Sequence, residues 1–407
     1  MDLKDKNHEP KELSIIIIDY YQVTNFFLNL SKSDTKRDYE FITTSLSSYL
    51  KLLIHKEEVT LISKISKPQK IEQSNLENLN IKNTREYVLK LLSEKEISSL
   101  YSVINTKTSK IIDSKRYEKI NLVTWNGSNV IGESMRNIKK NNEIVNTIFL
   151  EISNIHSKIF RDNYGVNAKS DLFLNIDILD NYETSNNNHD EWASKFISNK
   201  IKSSFLPQEK TTKKLQLWHL VDFIYLSIFG YTTFNKTAVK NKLTSKLLPK
   251  NKITYSKRTP EKFVFFPMQV STDTQIRINS EIDNLTALKK IIKNETLPIV
   301  IKPHPAEPDI DYIIKFINEN KDRIHLTKNN TYQLIQKSSK VITINSTVGL
   351  EAMIFNKPVE FYGRSIFEKF NKRRLSAYIH NHLINIDFFK NKPNDFKENI
   401  IEKIYRG

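Results

Sequence analysis

His304 and the Ser346-Thr347 pair have the clearest capacity for chemistry in this chain. His304 sits in Lys302-Pro303-His304-Pro305, where two prolines exclude a helix and remove two backbone donors, so the imidazole is held in a stiff polar loop beside a cation. Ser346 and Thr347 stand directly before 348–355, an apolar run at helical spacing, and either hydroxyl can cap that helix. Hydroxyls at a helix start, free N–H groups, an imidazole and Lys302 together suit an anion, and a phosphate-bearing ligand is the natural reading. Taken singly, each motif reads better as a stiff turn or a plain cap; together, at matching ends of one sheet, they point to a site. Two carboxylates join them. Asp273 follows the apolar strand 263–266 in the loop 267–275, and its alternative reading is an N-cap for a helix over 274–283. Glu151 ends the apolar run 147–152, and its alternative reading is a solvated strand end.

A parallel α/β architecture is what can bring these residues together. From 297 to 363 short apolar runs alternate with helical patterns: strand 298–301, helix 309–320, strand 324–326, helix 331–338, strand 341–344, helix 348–355, strand 359–362. Such alternation means a doubly wound parallel sheet, and ligands sit outside the carboxyl ends of its strands, where His304 and Ser346-Thr347 both fall. The first half opens in the same way. Strand 14–18 closes at Asp19-Tyr20-Tyr21, and a helix starts at 23. A βαβ unit follows at 120–152, with the turn Asn126-Gly127 and a helix over 129–140. The stretch 32–119 is polar and mostly helical in pattern, apart from a strand-like 59–62. The stretch 154–167 reads as a polar loop, and 185–189 reads as an exposed linker.

The bulk numbers narrow the function classes. At 407 residues two or three domains are expected. With no Cys, disulfides and thiolate catalysis are excluded, and a reducing compartment fits. The run 15–18 is too short for a signal-peptide core or a membrane span, so a cytoplasmic location is expected. An excess of 63 Lys+Arg over 46 Asp+Glu favours anionic partners. The basic runs lack the aromatic sheet motifs and recognition helices of nucleic-acid binders. Within 215–231 the sequence is almost continuously apolar and aromatic, and 236–258 then carries eight basic residues and no acidic one. This pairing reads as peripheral attachment to an anionic leaflet or as a buried helix followed by a solvated linker. Walker, G-x-G-x-x-G, H-E-x-x-H and zinc patterns are absent, and Asp309-Ile310-Asp311 reads as a helix start, so no metal site and no cofactor are expected.

Three motifs in order, Phe265-Phe266-Pro267-Met268-Gln269-Val270 with Asp273, then Lys302-Pro303-His304-Pro305, then Ser346-Thr347-Val348-Gly349-Leu350-Glu351-Ala352 followed by Lys357-Pro358-Val359, resemble the bacterial capsule polysaccharide synthesis and export family. Trp125-Asn126-Gly127, Phe149-Leu150-Glu151-Ile152-Ser153-Asn154 and the 158–167 stretch look like its single-transferase β-Kdo branch. Asp19-Tyr20-Tyr21-Gln22 stands where that branch has a glycine-rich turn.

The resemblance implies a GT-B-like enzyme, two Rossmann-like parallel-sheet domains facing a central cleft. It implies an acceptor-side domain over 1–235, a basic linker over 236–260, a nucleotide-sugar domain over 261–365, and a helical segment over 366–407 packing back on the first domain. It implies retaining transfer of β-Kdo from a CMP-sugar donor, without metal, to a phospholipid or glycolipid acceptor at the inner face of the cytoplasmic membrane. His304, Ser346 and Thr347 would hold the CMP phosphate, with Lys302, Glu351 and Gln269 on the donor side; Asp273 would attack the anomeric carbon and Glu151 would move the acceptor proton. Other capsule assembly proteins are expected partners and nucleic acid is not. Another nucleotide sugar as donor, or a non-catalytic role in capsule export, fits the same motifs.

Overall fold

The computed structural model describes residues 12–66, 80–114, 117–202, 217–231, 255–256, 258–271, 273–307 and 310–406. The basic run over 236–254, Lys257, and the 67–79 part of the polar stretch therefore lie outside the described residues. The chain forms two compact units, one built from 1–174, 214–234 and 382–407, the other from 175–213 and 235–381. In chain order the first unit contributes β1 (Glu12–Ile18), β2 (Arg37–Thr43), β3 (Val59–Leu61), β4 (Ile120–Trp125), β5 (Val145–Ile152) and β6 (Lys158–Asp162). The second contributes β7 (Val264–Pro267), β8 (Ile299–Lys302), β9 (Ile324–Leu326), β10 (Lys340–Thr343) and β11 (Val359–Phe361), and the chain returns to the first with β12 (Ile384–Asn385).

In the first unit the strands lie in the order β12-β6-β5-β4-β1-β2-β3. From β5 to β3 all pairings are parallel, and β6 and β12 add antiparallel partners at one edge. The parallel part is the 3-2-1-4-5 arrangement of a Rossmann half, with its switch point between β1 and β4. β1 and β4 are buried almost throughout, which is why they read as mostly apolar runs rather than alternating ones. Ile16, Phe26, Phe27, Val123, Trp125 and Leu150 share one core with Ile401, Ile404 and Tyr405 of the last helix, Glu398–Arg406. Full burial of each such side chain stabilises by about 1.5–3 kcal/mol.

Two stretches depart from the sequence expectation here. Arg37–Thr43 is a central strand despite its charges, because Arg37 donates to Asp34 Oδ2 and Glu12 Oε2, each at 2.9 Å. Lys158–Asp162, expected as loop, pairs antiparallel with β5, and its buried Arg161 donates from Nε to the Ile404 carbonyl at 3.0 Å.

The second sheet runs β11-β10-β7-β8-β9, all parallel. This is the same Rossmann order, with β7 central and the switch point between β7 and β10. Gly349 lets the helix Val348–Ile354 close onto this sheet, since a Cβ there would overlap the Phe361 ring. The expected exposed linker at 185–189 is instead the start of a helix, Asn186–Lys202. His189 is buried there, its Nδ1 lying 3.2 Å from His380 Nε2, and Phe196, Ile197 and Ile201 pack against the core around Phe263, Tyr332 and Ile335. Within the described residues no helix is long and apolar enough to cross a membrane.

Candidate active site

At the carboxyl edge of the second sheet, β10, β7 and β8 are adjacent strands, and each continues into a loop that carries candidate residues. β7 runs into Gln269 and Asp273, β8 into Lys302 and His304, and β10 into Ser346 and Thr347. Hydrogen bonds between the loops fix their relative positions. Gln269 Nε2 donates to Asn345 Oδ1 at 2.9 Å, while the Asn345 N–H donates to Gln269 Oε1 at 3.0 Å. The backbone of Gln269 is itself clasped by Asn284, whose Oδ1 accepts from the Gln269 N–H at 3.1 Å and whose Nδ2 donates to the Gln269 carbonyl at 2.8 Å. Gln269 is buried, and its amide brackets the β7 and β10 loops together across the switch point.

A second bracket joins β7 to β8. Ser271 donates to Glu307 twice, from its N–H to Oε2 at 2.6 Å and from its hydroxyl to Oε1 at 2.9 Å. Glu307 in turn bonds from its N–H to the His304 carbonyl at 2.9 Å, which closes the Pro-His-Pro turn. Within that turn the Ala306 N–H donates to His304 Nδ1 at 3.1 Å. Nδ1 is thus the acceptor, so a neutral ring carries its proton on Nε2 and presents it as a donor. Burial lowers the His304 pKa below the ordinary imidazole value and Lys302 acts in the same direction, against the opposing pull of Asp273 and Glu307. The ring is therefore neutral near pH 7 and close enough to Asp273 to feel its charge.

Lys302 reaches Thr331, its Nζ donating to Oγ1 at 2.9 Å. Ser346 Oγ accepts from the Val348 N–H at 3.1 Å and keeps its own proton to give away. Thr347 is the N-cap residue of Val348–Ile354 and makes no side-chain cap bond. That helix is a single short element of seven residues, so what it offers is local N–H groups rather than a long dipole. Glu351 sits elsewhere on it. Its carboxylate is buried, accepting from the Tyr332 hydroxyl at 3.0 Å with Lys200 Nζ at 3.5 Å, and burial raises its pKa. The structure thus gathers Gln269, Asp273, Lys302, His304, Ser346 and Thr347 along one sheet edge and ties Glu351 into a buried group with Tyr332 and Lys200.

Glu151 belongs to the first unit, at the carboxyl end of β5, where Asn126 Nδ2 donates to its Oε2 at 2.5 Å. Asn126 holds a positive φ of 72°, which aims its amide back along the strand end. Beside it lies a polar group that sequence reading missed. Asp19, at the end of β1, takes hydrogen bonds on Oδ2 from Asn129 at 3.0 Å and Arg85 at 3.3 Å, and Arg85 also meets the buried Glu86 at 3.3 Å. Burial raises the pKa of Asp19 and Glu86, and the Tyr20 hydroxyl feels Asp19, Glu151 and Arg85 together. A signal existed for Asp19, as an acidic residue directly after the first strand. None existed for Arg85-Glu86 in a polar stretch without periodicity. Glu307 and Asn345 were likewise missed, because both act on loops rather than on a ligand motif.

The family model described as "Capsule polysaccharide biosynthesis protein" matches residues 159–371, a span that contains the whole second-sheet edge. Among curated proteins the chain is similar to "Capsule polysaccharide modification protein LipB" of Neisseria meningitidis serogroup A, 32% identical over 122 residues, covering 26% of this chain and 29% of LipB. It is also similar to "Protein FixF" of Sinorhizobium fredii, 34% identical over 119 residues, covering 26% of this chain and 27% of FixF. The matched part is under a third of the length of either relative. Among solved structures it is similar to "Thermosulfurimonas dismutans KpsC, beta Kdo 2,7 transferase", with 19% identity, 74% of this chain and 89% of that chain covered, and a TM-score of 0.43. Since the family match spans more than half of its 407 residues, the chain belongs to the capsule polysaccharide biosynthesis family.

Proposed function

We propose that the chain is a retaining glycosyltransferase of capsule biosynthesis that moves β-Kdo from CMP-Kdo to a phospholipid acceptor of the lysophosphatidylglycerol type, at the inner face of the cytoplasmic membrane and without a metal ion. The observation that carries this reading is a neutral His304 with an Nε2–H donor on the same sheet edge as Ser346, Thr347 and Asp273. A CMP leaving group departs as a phosphate monoester. Donors fixed in advance around that phosphate stabilise the developing charge, so His304 Nε2–H and the two hydroxyls perform the task a metal performs elsewhere.

In the proposed first step an Asp273 carboxylate oxygen attacks the anomeric carbon, the bond to the phosphate oxygen breaks, and CMP leaves with the electron pair. In the second, an acceptor hydroxyl displaces Asp273 from the same carbon and its proton passes to Glu151. Two inversions give net retention. Gln269 positions the β7 and β10 loops, and Lys302 supports the His304 loop through its neighbour Thr331.

Incubating purified protein with CMP-Kdo and lysophosphatidylglycerol tests the reading. The expected result is a lipid heavier by one Kdo, with free CMP released. Release of no CMP, or transfer only from a different nucleotide sugar, rejects the donor assignment.

A further inference from the structure

The helix Leu217–Ile228 is apolar on its outer face as well as on the inner one, where Tyr225 and Leu226 are buried. Its single charged residue, Asp222, is 6% exposed and faces the protein, where Oδ2 accepts from Ser45 Oγ and Oδ1 from the Ser47 N–H, each at 2.8 Å. Those bonds dock the helix on the N-terminus of the neighbouring helix Leu46–Ile54, and Ser47 Oγ adds a bond to the Trp218 carbonyl at 2.9 Å. The opposite face carries Leu220, Ile224 and Ile228 at i, i+4 and i+8, exposed by 47%, 51% and 62%. A surface helix in water normally carries polar residues on its outer face. On the adjoining helix Leu53 and Ile54 are exposed as well, so the apolar surface spans two elements.

Aromatic and mostly cationic groups lie beside this surface, although Glu57 also feels the charge of Lys32. Trp218 stacks on Tyr21 with ring centroids 5.7 Å apart, and Lys51 Nζ lies 5.5 Å from the Tyr21 centroid. Lys32 Nζ sits 3.1 Å from His55 Nδ1, and both Lys51 and His55 feel the charge of Lys32. Lys56 is exposed one residue further on. Positive charges gathered against one another beside exposed apolar residues, with a Trp-Tyr pair at the boundary, match the layering of an anionic bilayer: hydrocarbon, aromatic interface, phosphate.

We infer that the Leu220–Ile224–Ile228 face, together with Leu53, Ile54 and the Lys32–Lys51–Lys56 cluster, is the surface on which this protein sits on an anionic phospholipid membrane. It rests on the lipid-acceptor reading for why such a surface exists, and its test does not depend on transfer. The full chain is sedimented with phosphatidylcholine vesicles with and without phosphatidylglycerol, at low and raised salt. Wild type is expected to bind the anionic vesicles and to lose binding as salt rises. Ile224→Gln/Ile228→Gln is expected to reduce vesicle partitioning at least about tenfold, with melting temperature and CMP binding unchanged. Lys32→Gln/Lys56→Gln is expected to weaken the preference for anionic lipid while leaving the weaker apolar binding. Failure of the wild type to bind anionic vesicles, or undiminished binding by the isoleucine variant, overturns the inference. So does light scattering that shows a wild-type dimer split by the isoleucine substitutions, because the face would then be filled by a second copy. Vesicle binding without any CMP-Kdo turnover would reject the proposed reaction and leave this surface standing.

Discussion

Replacing Gln269 by Ala separates two roles that sequence alone cannot distinguish, contact with the donor and positioning of the loops that make that contact. The side chain makes two hydrogen bonds with Asn345, at 2.9 and 3.0 Å, in a region where both residues are buried. Each bond is worth about 1 kcal/mol net, and the buried Asn345 N–H left without its acceptor costs about 1–3 kcal/mol more, so the loss is roughly 3–5 kcal/mol. For a unit of this size that corresponds to a fall in melting temperature of about 6–20 °C. CMP affinity should fall too, since the β10 loop bearing Ser346 and Thr347 loses its tie to β7. Gln269→Glu keeps the acceptor for the Asn345 N–H but buries a charge and turns a second acceptor toward Asn345 Oδ1, so it should melt at least as low as the Ala variant. Calorimetric melting and CMP titration on the same samples provide both readouts. An unchanged melting temperature, within about 1 °C, combined with weakened CMP binding would refute the bracket and make Gln269 a direct ligand contact.

Three further outcomes follow from the geometry. His304→Ala removes the Nε2–H donor and should lower turnover about 10²–10³-fold, and a loss below tenfold in initial rates would remove His304 from leaving-group stabilisation. Gly349→Ala pushes a methyl group into the Phe361 ring and should destabilise the second unit by about 1–3 kcal/mol, read as a lower denaturation midpoint. Burial, with Lys403 and Arg161 nearby, pushes the His382 pKa from 6.5 down to about 4. Between those values the unfolded chain holds a proton that the folded chain does not, so stability should drop as pH falls from about 6.5 toward 4, by up to about 3 kcal/mol. His382→Gln should flatten that part of the stability profile in urea titrations, and an unchanged slope would contradict the buried neutral ring.

Legibility in the sequence followed how each strand is buried. β1, β4, β7, β8 and β10 are short apolar runs ended by polar or proline-rich loops, and that pattern follows from a parallel sheet covered on both faces. β2 and β6 were missed because their buried arginines are satisfied by partners that local pattern does not reveal: Arg37 by the carboxylates of Glu12 and Asp34, and Arg161 by a hydrogen bond to the Ile404 carbonyl. The start of Asn186–Lys202 looked like a linker because three asparagines open it, although its later apolar residues pack on the second core. At the site, the residue types were readable and their division of labour was not. That Gln269 and Glu307 bind loops together depends on pairings across strands that no local spacing encodes, and that Ala306 fixes the His304 tautomer depends on the conformation of the turn rather than on residue type.

Asp273 is the residue on which the proposed reaction turns, and one substitution tests it. Purified Asp273→Ala protein is titrated with CMP and then given CMP-Kdo and lysophosphatidylglycerol, with product read by mass. The expected result is CMP binding close to wild type and no Kdo-bearing lipid. Product formation near the wild-type rate would contradict the double-displacement mechanism, and with it the role given to the β7 loop.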